Sequence, residues 1–323
     1  MTLVLEDSIK FGVQGIYRRT GSLAKPWLPD TNDAKNIVRL VDELEFDSMW
    51  VGDHIAFAVP ILDPITQLAW AAAQSDRLAF GTSVYLLPLR HSAPVAKQVA
   101  ALDHLCGGRL IFGIGVGGEF PQEFEVCGVD VSQRGRRLDE GLHVLRQLWQ
   151  PGASAYDGKI FSFGEIELLP QPLQHGGPPI WCGGRSDAAL KRAGEVCDGY
   201  ISYVVTPEMF KNSMKKIGAF AESAGREIQS YGTGHLLFLR IGETYESALD
   251  SATLVLSERY GMDFRRPAEK YCALGRPADV AESINEYIQA GVRHFVLDFV
   301  GPSEDHIDQI KMFASEVRPL IQG

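Results

Sequence analysis

The chain has 323 residues, of which 45% are hydrophobic and 22% charged, the proportions of an ordinary soluble globular protein. Its formal net charge of −10 argues against general nucleic-acid binding, and no apolar run reaches the roughly 18–20 residues that span a bilayer. The five cysteines are scattered without zinc-ligand spacing, which predicts reduced packing residues and no metal. The N-terminus lacks a signal-peptide pattern, so a cytoplasmic location is expected.

Predicted strands and helices alternate along the whole chain. The predicted strands cover residues 9–16, 48–54, 77–87, 109–116, 179–184, 198–205, 235–241 and 294–300. The predicted helices cover residues 30–46, 64–75, 94–106, 132–149, 186–194, 207–224, 245–260 and 277–290, and residues 303–321 close the chain. The strands are nearly continuous apolar runs, as expected when both faces are buried. Eight such units predict an α/β fold, a (β/α)8 TIM barrel, as one domain over residues 1–323.

Three segments interrupt this alternation. Residues 156–168 alternate with period two around an Asp157-Gly158 turn, which predicts a hairpin. Residues 18–29 and 261–275 are polar insertions expected at the C-terminal face of the strands, beside the barrel mouth. They carry positive charge in an acidic chain, at Arg18, Arg19, Lys25, Arg265, Arg266 and Lys270, and Trp27 lies among them. These charges are either solvated loop residues or a surface that steers an anionic ligand.

The glycine pattern Gly113-x-Gly115-x-x-Gly118 allows two interpretations. It matches the loop that binds dinucleotides, but such a loop must lead directly into a helix. Here Glu119-Phe120-Pro121 follows, and no acidic residue stands about 20 positions on in a suitable context. The pattern therefore favours glycines that let the backbone approach a flat ligand at the mouth of a barrel.

Active sites of TIM barrels lie at the C-terminal ends of the strands, so the strand ends supply the candidate residues. Asp53-His54 ends the second strand, and His54 is either a partly exposed surface residue or an imidazole that transfers a proton near pH 7. Glu119 follows the fourth strand. It is a candidate proton donor if its surroundings are apolar enough to raise its pKa, and otherwise a solvated carboxylate.

The end of the fifth strand is the best candidate anion site. Gly183 and Gly184 expose backbone N–H groups, Arg185 and Ser186 add donors, and a predicted helix begins directly afterwards. The alternative is an ordinary capped helix start, and Asp187 in the first turn weighs against an anion.

Several of these motifs resemble the bacterial luciferase-like superfamily, TIM-barrel enzymes that use FMN or coenzyme F420. The resemblance covers most of the chain. It is most specific in residues 94–118, 134–140, 179–186 with Asp198-Gly199, and 291–295. The amino-acid sequences of these motifs are more similar to those of the F420-dependent branch than to those of the monooxygenases. The Arg134–Glu140 motif is interpreted as mainly structural, with Arg136 and Glu140 as neighbours on one helix.

The resemblance implies specific roles. It places His54 over the flavin ring beside Asp53, and the cofactor phosphate at Gly183, Gly184, Arg185 and Ser186. A cis peptide bond at Ser83–Val84 would support the deazaflavin from behind, with Gly117 and Gly118 at the same mouth. The basic insertions would then steer the polyglutamate tail of F420. The resemblance also implies a homodimer.

The leading functional hypothesis is an F420-dependent oxidoreductase that moves a hydride between the deazaflavin and a small organic substrate, with His54 and Glu119 handling the proton. The first alternative is an FMN-dependent monooxygenase, in which His54 stabilises the oxygenated flavin. A second is a non-catalytic flavin-binding accessory subunit, against which the intact His54 and 183–186 loop argue. A third, a sugar or phosphate enzyme on the same barrel, would place a phosphate near Gly275-Arg276 or Gly301-Pro302. Neither a nucleic acid nor a membrane is expected as a partner.

Overall fold

Eight parallel strands close into a barrel in the computed structural model, which describes residues 3–17, 30–57, 60–228 and 230–322. In chain order the strands of the described residues are β1 (Lys10–Gln14), β2 (Ser48–Val51), β3 (Ala79–Thr82), β4 (Leu110–Ile114), β5 (Ser154–Asp157), β6 (Ser162–Ile166), β7 (Ile180–Gly183), β8 (Gly199–Tyr203), β9 (Gly232–Ile241), β10 (Ala273–Gly275) and β11 (His294–Phe299). The barrel order is β1-β2-β3-β4-β7-β8-β9-β11, and β11 returns to pair with β1. The predicted TIM barrel is confirmed.

Helices surround the barrel. Those of the described residues are α1 (Thr31–Glu43), α2 (Pro64–Ala72), α3 (Ser92–Leu105), α4 (Pro121–Val126), α5 (Arg134–Leu148), α6 (Asp187–Glu195), α7 (Pro207–Ser223), α8 (Tyr245–Tyr260), α9 (Arg265–Tyr271), α10 (Pro277–Ala290) and α11 (His306–Met312). Many begin at a side chain that accepts a backbone N–H, as Asp30 does for α1, Asp63 for α2 and Thr206 for α7. Proline occupies the first turn of α2 and α7, where its missing N–H costs nothing.

Two tryptophans fill the interior of the barrel. The rings of Trp50 on β2 and Trp181 on β7 lie 5.6 Å apart, and both side chains are buried. Glycines on other strands of the barrel make room for them. A Cβ at Gly81 would overlap the Trp50 ring, and one at Gly232 would overlap the Trp181 ring. The two indoles therefore fill the barrel interior, and we call them the floor of the barrel.

One helix has a different place from the one predicted. Residues 245–260 form α8, but its apolar residues Ala248, Leu249, Ala252 and Leu256 pack with the barrel-mouth cluster that contains Phe238. The outer-ring helix after β9 is α10, whose Val280 and Ile284 belong to the main core between strands and helices. Both helices carry an apolar face, so periodicity does not reveal which layer each one covers. The insertion is thus α8, α9 and β10 together, a longer unit than the predicted 261–275.

Two predicted strands also change. Residues 77–87 were expected as one strand, but β3 ends at Thr82 and a cis peptide bond follows at Ser83–Val84. The expected cis bond is therefore present. The strand predicted at 235–241 begins earlier, at Gly232, because Gly232 and Gly234 lie against Trp181 and pair with β8. Glycines weaken a strand pattern in sequence, which concealed this start.

The Arg134–Glu140 motif is structural, as predicted. The Glu140 carboxylate accepts N–H bonds from Ile160 at 2.9 Å and Phe161 at 3.3 Å, which fastens the β5–β6 hairpin to α5. The Arg137 guanidinium donates to the Pro88 carbonyl at 2.8 Å and lies over the Phe161 ring. The predicted hairpin is confirmed, and its place on α5 explains the motif without a catalytic role.

The predicted basic segment with Arg18, Arg19, Lys25 and Trp27 lies outside the described residues. Within the described part of the chain, the helices are too short or too polar to cross a bilayer.

Candidate active site

A cavity of about 270 Å³ lies at the C-terminal ends of the barrel strands. Its wall includes nine residues predicted for the site: Asp53, His54, Ser83, Val84, Gly117, Glu119, Gly183, Gly184 and Arg185. The rule that active sites of TIM barrels lie at the C-terminal ends of the strands, which we call the strand-end rule, therefore locates the cavity. Two further predicted residues lie outside this wall. Gly118 packs against Arg134, and Ser186 caps α6 by accepting the Ala189 N–H at 3.3 Å.

His54 is held by a buried carboxylate that the sequence analysis missed. Its Nδ1 lies 3.1 Å from Oε2 of Glu123, whose side chain is only 1% exposed. Glu123 is itself fixed, because its Oε1 accepts N–H bonds from Ile55 at 2.6 Å and Ala56 at 3.1 Å. A carboxylate accepts hydrogen bonds only, so His54 carries a proton on Nδ1. Its Nε2 is the ring nitrogen left for a ligand.

The imidazole is also fixed by aromatic contacts. The Phe57 ring stacks on His54 at 4.2 Å with an interplanar angle of 8°, and the Phe120 ring meets it edge-on at 5.5 Å. About a quarter of the His54 side chain remains exposed. The ring is therefore oriented and accessible, as a group that exchanges a proton with a ligand must be.

Asp53 serves a different purpose from His54. Its carboxylate is paired with the Arg90 guanidinium and accepts the Leu86 N–H at 2.8 Å. Burial raises the pKa of Asp53, and the Arg90 pair and the Leu86 N–H act against that shift. Arg90 also lies 4.5 Å above the Tyr85 ring. Asp53 thus joins β2 to the segment after β3, and it supports the cavity wall.

The segment after β3 forms one side of the cavity. The Ser83 hydroxyl donates to Oε1 of Gln14 at 2.6 Å, which fixes the Gln14 amide with its NH2 group as the donor available to a ligand. The Val84 side chain lies between two glycines. A Cβ at Gly115 would stand 2.5 Å from Val84 Cγ2, and one at Gly183 would stand 3.0 Å from Cγ1. Only glycine at both positions allows Val84 to enter the wall.

The glycine pattern 113–118 is explained by this packing. Gly113 lies against the Thr82 backbone and Gly115 against Val84. Gly117 and Gly118 have φ values of +62° and +108°, which favour glycine. The next helix, α4, begins only at Pro121. The rejection of a dinucleotide loop agrees with this geometry. Gly115 and Gly117 line the cavity, whereas Gly113 makes room for the Thr82 backbone of β3.

Glu119 lies at the rim of the cavity and is exposed. An exposed carboxylate lacks the burial that its predicted role requires. Its assignment as a proton donor remains a prediction.

The 183–187 loop presents backbone and one guanidinium to the cavity. Gly184 has a φ of +123°, and the exposed Arg185 donates to the Val204 carbonyl at 3.1 Å. Asp187, which weighed against an anion here, is paired with Lys216 at 2.7 Å. The loop thus combines a helix N-terminus, a cation and a neutralised aspartate, which suits a phosphate.

The far end of the cavity was not predicted. Tyr203, Phe238, Arg259, Tyr260 and Asp298 line it, and we call them the aromatic compartment. Extending the strand-end rule to β1, β8 and β11 indicates Gln14, Tyr203 and Asp298. No local signal indicates Arg259 or Glu123, because these residues lie on helices: α8 brings Arg259 to the cavity, and α4 brings Glu123 to His54.

Two other histidines are sealed in the structure. The His294 Nε2 lies 2.7 Å from the Ser48 hydroxyl beneath the tryptophans, and the His235 Nδ1 lies 2.7 Å from the Ser202 hydroxyl. His235 also stacks on Tyr287 at 4.3 Å. Both side chains are fully buried, and burial lowers the pKa of each to about 3. They are neutral packing residues.

The second basic segment is largely neutralised. Arg265 on α9 is paired with Asp250 at 2.6 Å, Glu246 at 3.1 Å and Glu269 at 3.8 Å. Such a network offsets the positive charge that was expected to steer an anionic tail. Steering by Arg266 and Lys270 stays a prediction.

Comparison with known proteins identifies the family of this chain. A family model described as luciferase-like monooxygenase matches residues 9–316, so the chain belongs to the luciferase-like monooxygenase family. An uncharacterised protein of Mycobacterium tuberculosis is 31% identical over 167 residues, which are 52% of this chain and 57% of that protein. The chain thus matches little more than half the length of this relative.

Two relatives match over most of their length. The 5,10-methylenetetrahydromethanopterin reductase of Methanopyrus kandleri is 22% identical, over 90% of this chain and 96% of the relative. The F420-dependent glucose-6-phosphate dehydrogenase of Kineococcus radiotolerans is 25% identical, over 87% of this chain and 90% of the relative. Relatives of the family thus include F420-dependent oxidoreductases.

Solved structures share the fold. An F420-dependent secondary alcohol dehydrogenase in complex with an F420–acetone adduct has a TM-score of 0.82 at 19% identity, covering 98% of this chain and all of that one. A type II Baeyer–Villiger monooxygenase of Pseudomonas putida in complex with FMN has a TM-score of 0.78 at 19% identity, covering 98% of this chain and 99% of that one. At this identity they establish the barrel and leave the cofactor open.

Proposed function

We propose that this protein is a coenzyme F420-dependent oxidoreductase that moves a hydride between the deazaflavin and a small organic substrate. The observation that carries the proposal is His54, oriented by a buried carboxylate at the wall of a cavity suited to a flat ring. The F420-dependent reductases and dehydrogenases among the relatives that match most of the chain support F420 over FMN.

The residues present fit such a cofactor. Val84 and the glycines around it give a wall with few projecting side chains, on which a flat ring would lie. The Gln14 NH2 group is a donor for a polar ring edge, and Gly184 and Arg185 would hold a phosphate. When bound, the deazaflavin would supply the carbon that gives or takes the hydride.

The chain itself manages the proton. Hydride transfer to or from an alcohol or carbonyl requires a partner for the oxygen-bound proton. His54 can hold or accept that proton at Nε2, because Nδ1 is committed to Glu123. The Glu123 carboxylate also stabilises the imidazolium that forms when Nε2 takes up a proton. The buried Asp53–Arg90 pair keeps the backbone before His54 in place.

Anaerobic titrations of the protein with F420 and with FMN, read by absorbance and fluorescence, test the proposal. We expect saturable F420 binding and at least tenfold weaker binding of FMN. Arg185→Ala should weaken F420 binding about tenfold, because a charge-assisted hydrogen bond to a phosphate is lost.

Arg276→Ala is the matched control, since Arg276 is exposed and paired with Asp279 away from the cavity. It should leave F420 binding unchanged. Tight FMN binding with oxygen uptake and no F420 binding would favour a monooxygenase instead. A loss of binding in Arg276→Ala alone would favour a phosphate enzyme with its site at the end of β10.

A further inference from the structure

The aromatic compartment differs from the rest of the cavity in both shape and polarity. The rings of Tyr203 and Phe238 meet edge-on at 5.7 Å, and Tyr260 approaches Phe238 at 6.5 Å. Tyr260 also lies 6.5 Å from Phe57, the ring that stacks on His54. The aromatic wall therefore runs continuously from the imidazole to the far end of the cavity.

A buried ion pair completes this end. Arg259 Nη1 donates to Asp298 Oδ2 at 2.9 Å, and both side chains are 7% exposed. Burial acts to lower the pKa of Arg259, but the attraction of Asp298 outweighs it and the pKa is raised. The guanidinium therefore stays charged while Asp298 offsets its charge.

Arg259 has N–H groups that could donate to a ligand. Among the described residues, its guanidinium makes one hydrogen bond, the one to Asp298, although it carries five N–H groups. The residue lines the cavity, and its guanidinium carbon lies 5.7 Å from the centre of the Phe238 ring. A ligand against that ring would thus find N–H donors at its edge.

The charge balance distinguishes ligand classes. A phosphate dianion requires clustered cations without carboxylate partners. In the described part of the wall the cations are Arg185, which donates to the Val204 carbonyl next to Tyr203, and Arg259, which is paired with Asp298. A neutral oxygen needs only the N–H donors, and it avoids repulsion by Asp298.

We infer that the aromatic compartment binds the substrate, and that the substrate is a flat ring bearing a carbonyl or phenolic oxygen, with that oxygen on Arg259. Aromatic walls favour flat apolar rings, and buried donors favour a ring with an acceptor over the same ring without one. The assignment of this compartment to the substrate rests on the proposed function. The inference predicts that a phosphorylated sugar does not bind in the aromatic compartment.

Calorimetric titration of the cofactor-free full chain with three probes tests the inference. The probes are 1-indanone, indane, which has the same skeleton without the oxygen, and glucose 6-phosphate. We expect 1-indanone to bind at least tenfold more tightly than either of the others. Arg259→Lys keeps the charge but loses the planar fork of donors, so it should weaken 1-indanone at least tenfold and leave indane unchanged.

Arg240→Lys is the matched control. Arg240 is also mostly buried and paired with a carboxylate, Asp305, but it lies outside the cavity wall. It should bind 1-indanone like the unmodified chain. Three results would each overturn the inference. They are equal affinity for 1-indanone and indane, an equal loss of affinity for both probes in Arg259→Lys, and tighter binding of glucose 6-phosphate than of 1-indanone.

Asp298→Asn keeps the test decisive if Arg259→Lys does not fold. It leaves the guanidinium without its counter-charge, so benzoate should gain at least tenfold in affinity while 1-indanone does not change. No gain for benzoate would overturn the inference. Because these titrations contain no cofactor, a failure here leaves the proposed function standing. If neither F420 nor FMN bound but 1-indanone did, the proposed function would be rejected and the aromatic compartment would still be a binding site for a flat ring.

Discussion

His54 and His294 show how the surroundings divide one residue type between two tasks. His54 lies at the barrel mouth, partly exposed, with one nitrogen on a buried carboxylate and the other available. His294 lies beneath the tryptophans, sealed, with a neutral serine hydroxyl as its partner. A carboxylate and access to ligand suit proton transfer, whereas burial without a counter-charge excludes the charged form. The surroundings of His54 are thus those that proton transfer requires, and the surroundings of His294 are those of a packing residue.

The largest effect should follow removal of the imidazole at the mouth. His54→Ala should lower kcat about 10²- to 10⁴-fold with whichever cofactor binds, the usual contribution of a general acid or base. Steady-state kinetics measure it, and unchanged thermal unfolding would show an intact fold. His143→Ala, at an exposed position on α5, is the control and should keep full activity. Unchanged turnover in His54→Ala would remove His54 from the mechanism.

Adding atoms next to the buried tryptophans should lower the stability of the fold. In Gly81→Ala the new methyl group would overlap the Trp50 ring, so we expect a loss of about 1–3 kcal/mol in the free energy of unfolding. Urea denaturation measures it. Gly164→Ala on the exposed hairpin meets no atom within 4 Å and should change stability by less than about 0.5 kcal/mol. Equal effects of the two substitutions would contradict the packing described for the floor.

Neutralising the carboxylate partner of His54 should have a smaller effect on turnover than removing the ring. Glu123→Gln keeps an oxygen for the Ile55 and Ala56 N–H groups but loses the charge that orients and stabilises His54. We expect kcat to fall about tenfold, the equivalent of about 1.4 kcal/mol, with KM and cofactor affinity within twofold. Loss of cofactor binding instead would show that Glu123 shapes the cavity and has no effect through His54.

The smallest effect is a pH dependence of stability from the sealed histidines. The pKa of His294 falls from 6.5 to about 3 on folding, so the unfolded chain binds more protons between these values. Stability from this group is complete above pH 6.5 and is lost as the pH falls, by about 1 kcal/mol between pH 7 and 5.5. Urea denaturation at both pH values should show a smaller pH difference in His294→Gln. An unchanged difference would mean that His294 is not sealed.

Sequence patterns could predict the barrel because every strand is an apolar run and every helix has an amphipathic face. The same periodicity could not place α8, since a helix over the mouth and a helix on the outer ring bury similar faces. The cavity was predictable from the strand ends, which supplied His54, Val84 and Arg185. Glu123 and Arg259 were not, because their positions depend on how α4 and α8 fold back over the barrel.

The glycine-backed indoles of Trp50 and Trp181 have a consequence for how this enzyme family can diversify. Because the indoles already fill the barrel interior, the cavity can widen only at its mouth, where Arg259 and Tyr260 of the α8–α9–β10 insertion line it. Under the proposed function, changes in that insertion would alter the molecule accepted at the far end and leave Glu123, the partner of His54, and the 183–187 loop in place. Libraries that aim at new specificities should therefore vary residues 245–275 and leave the strands alone.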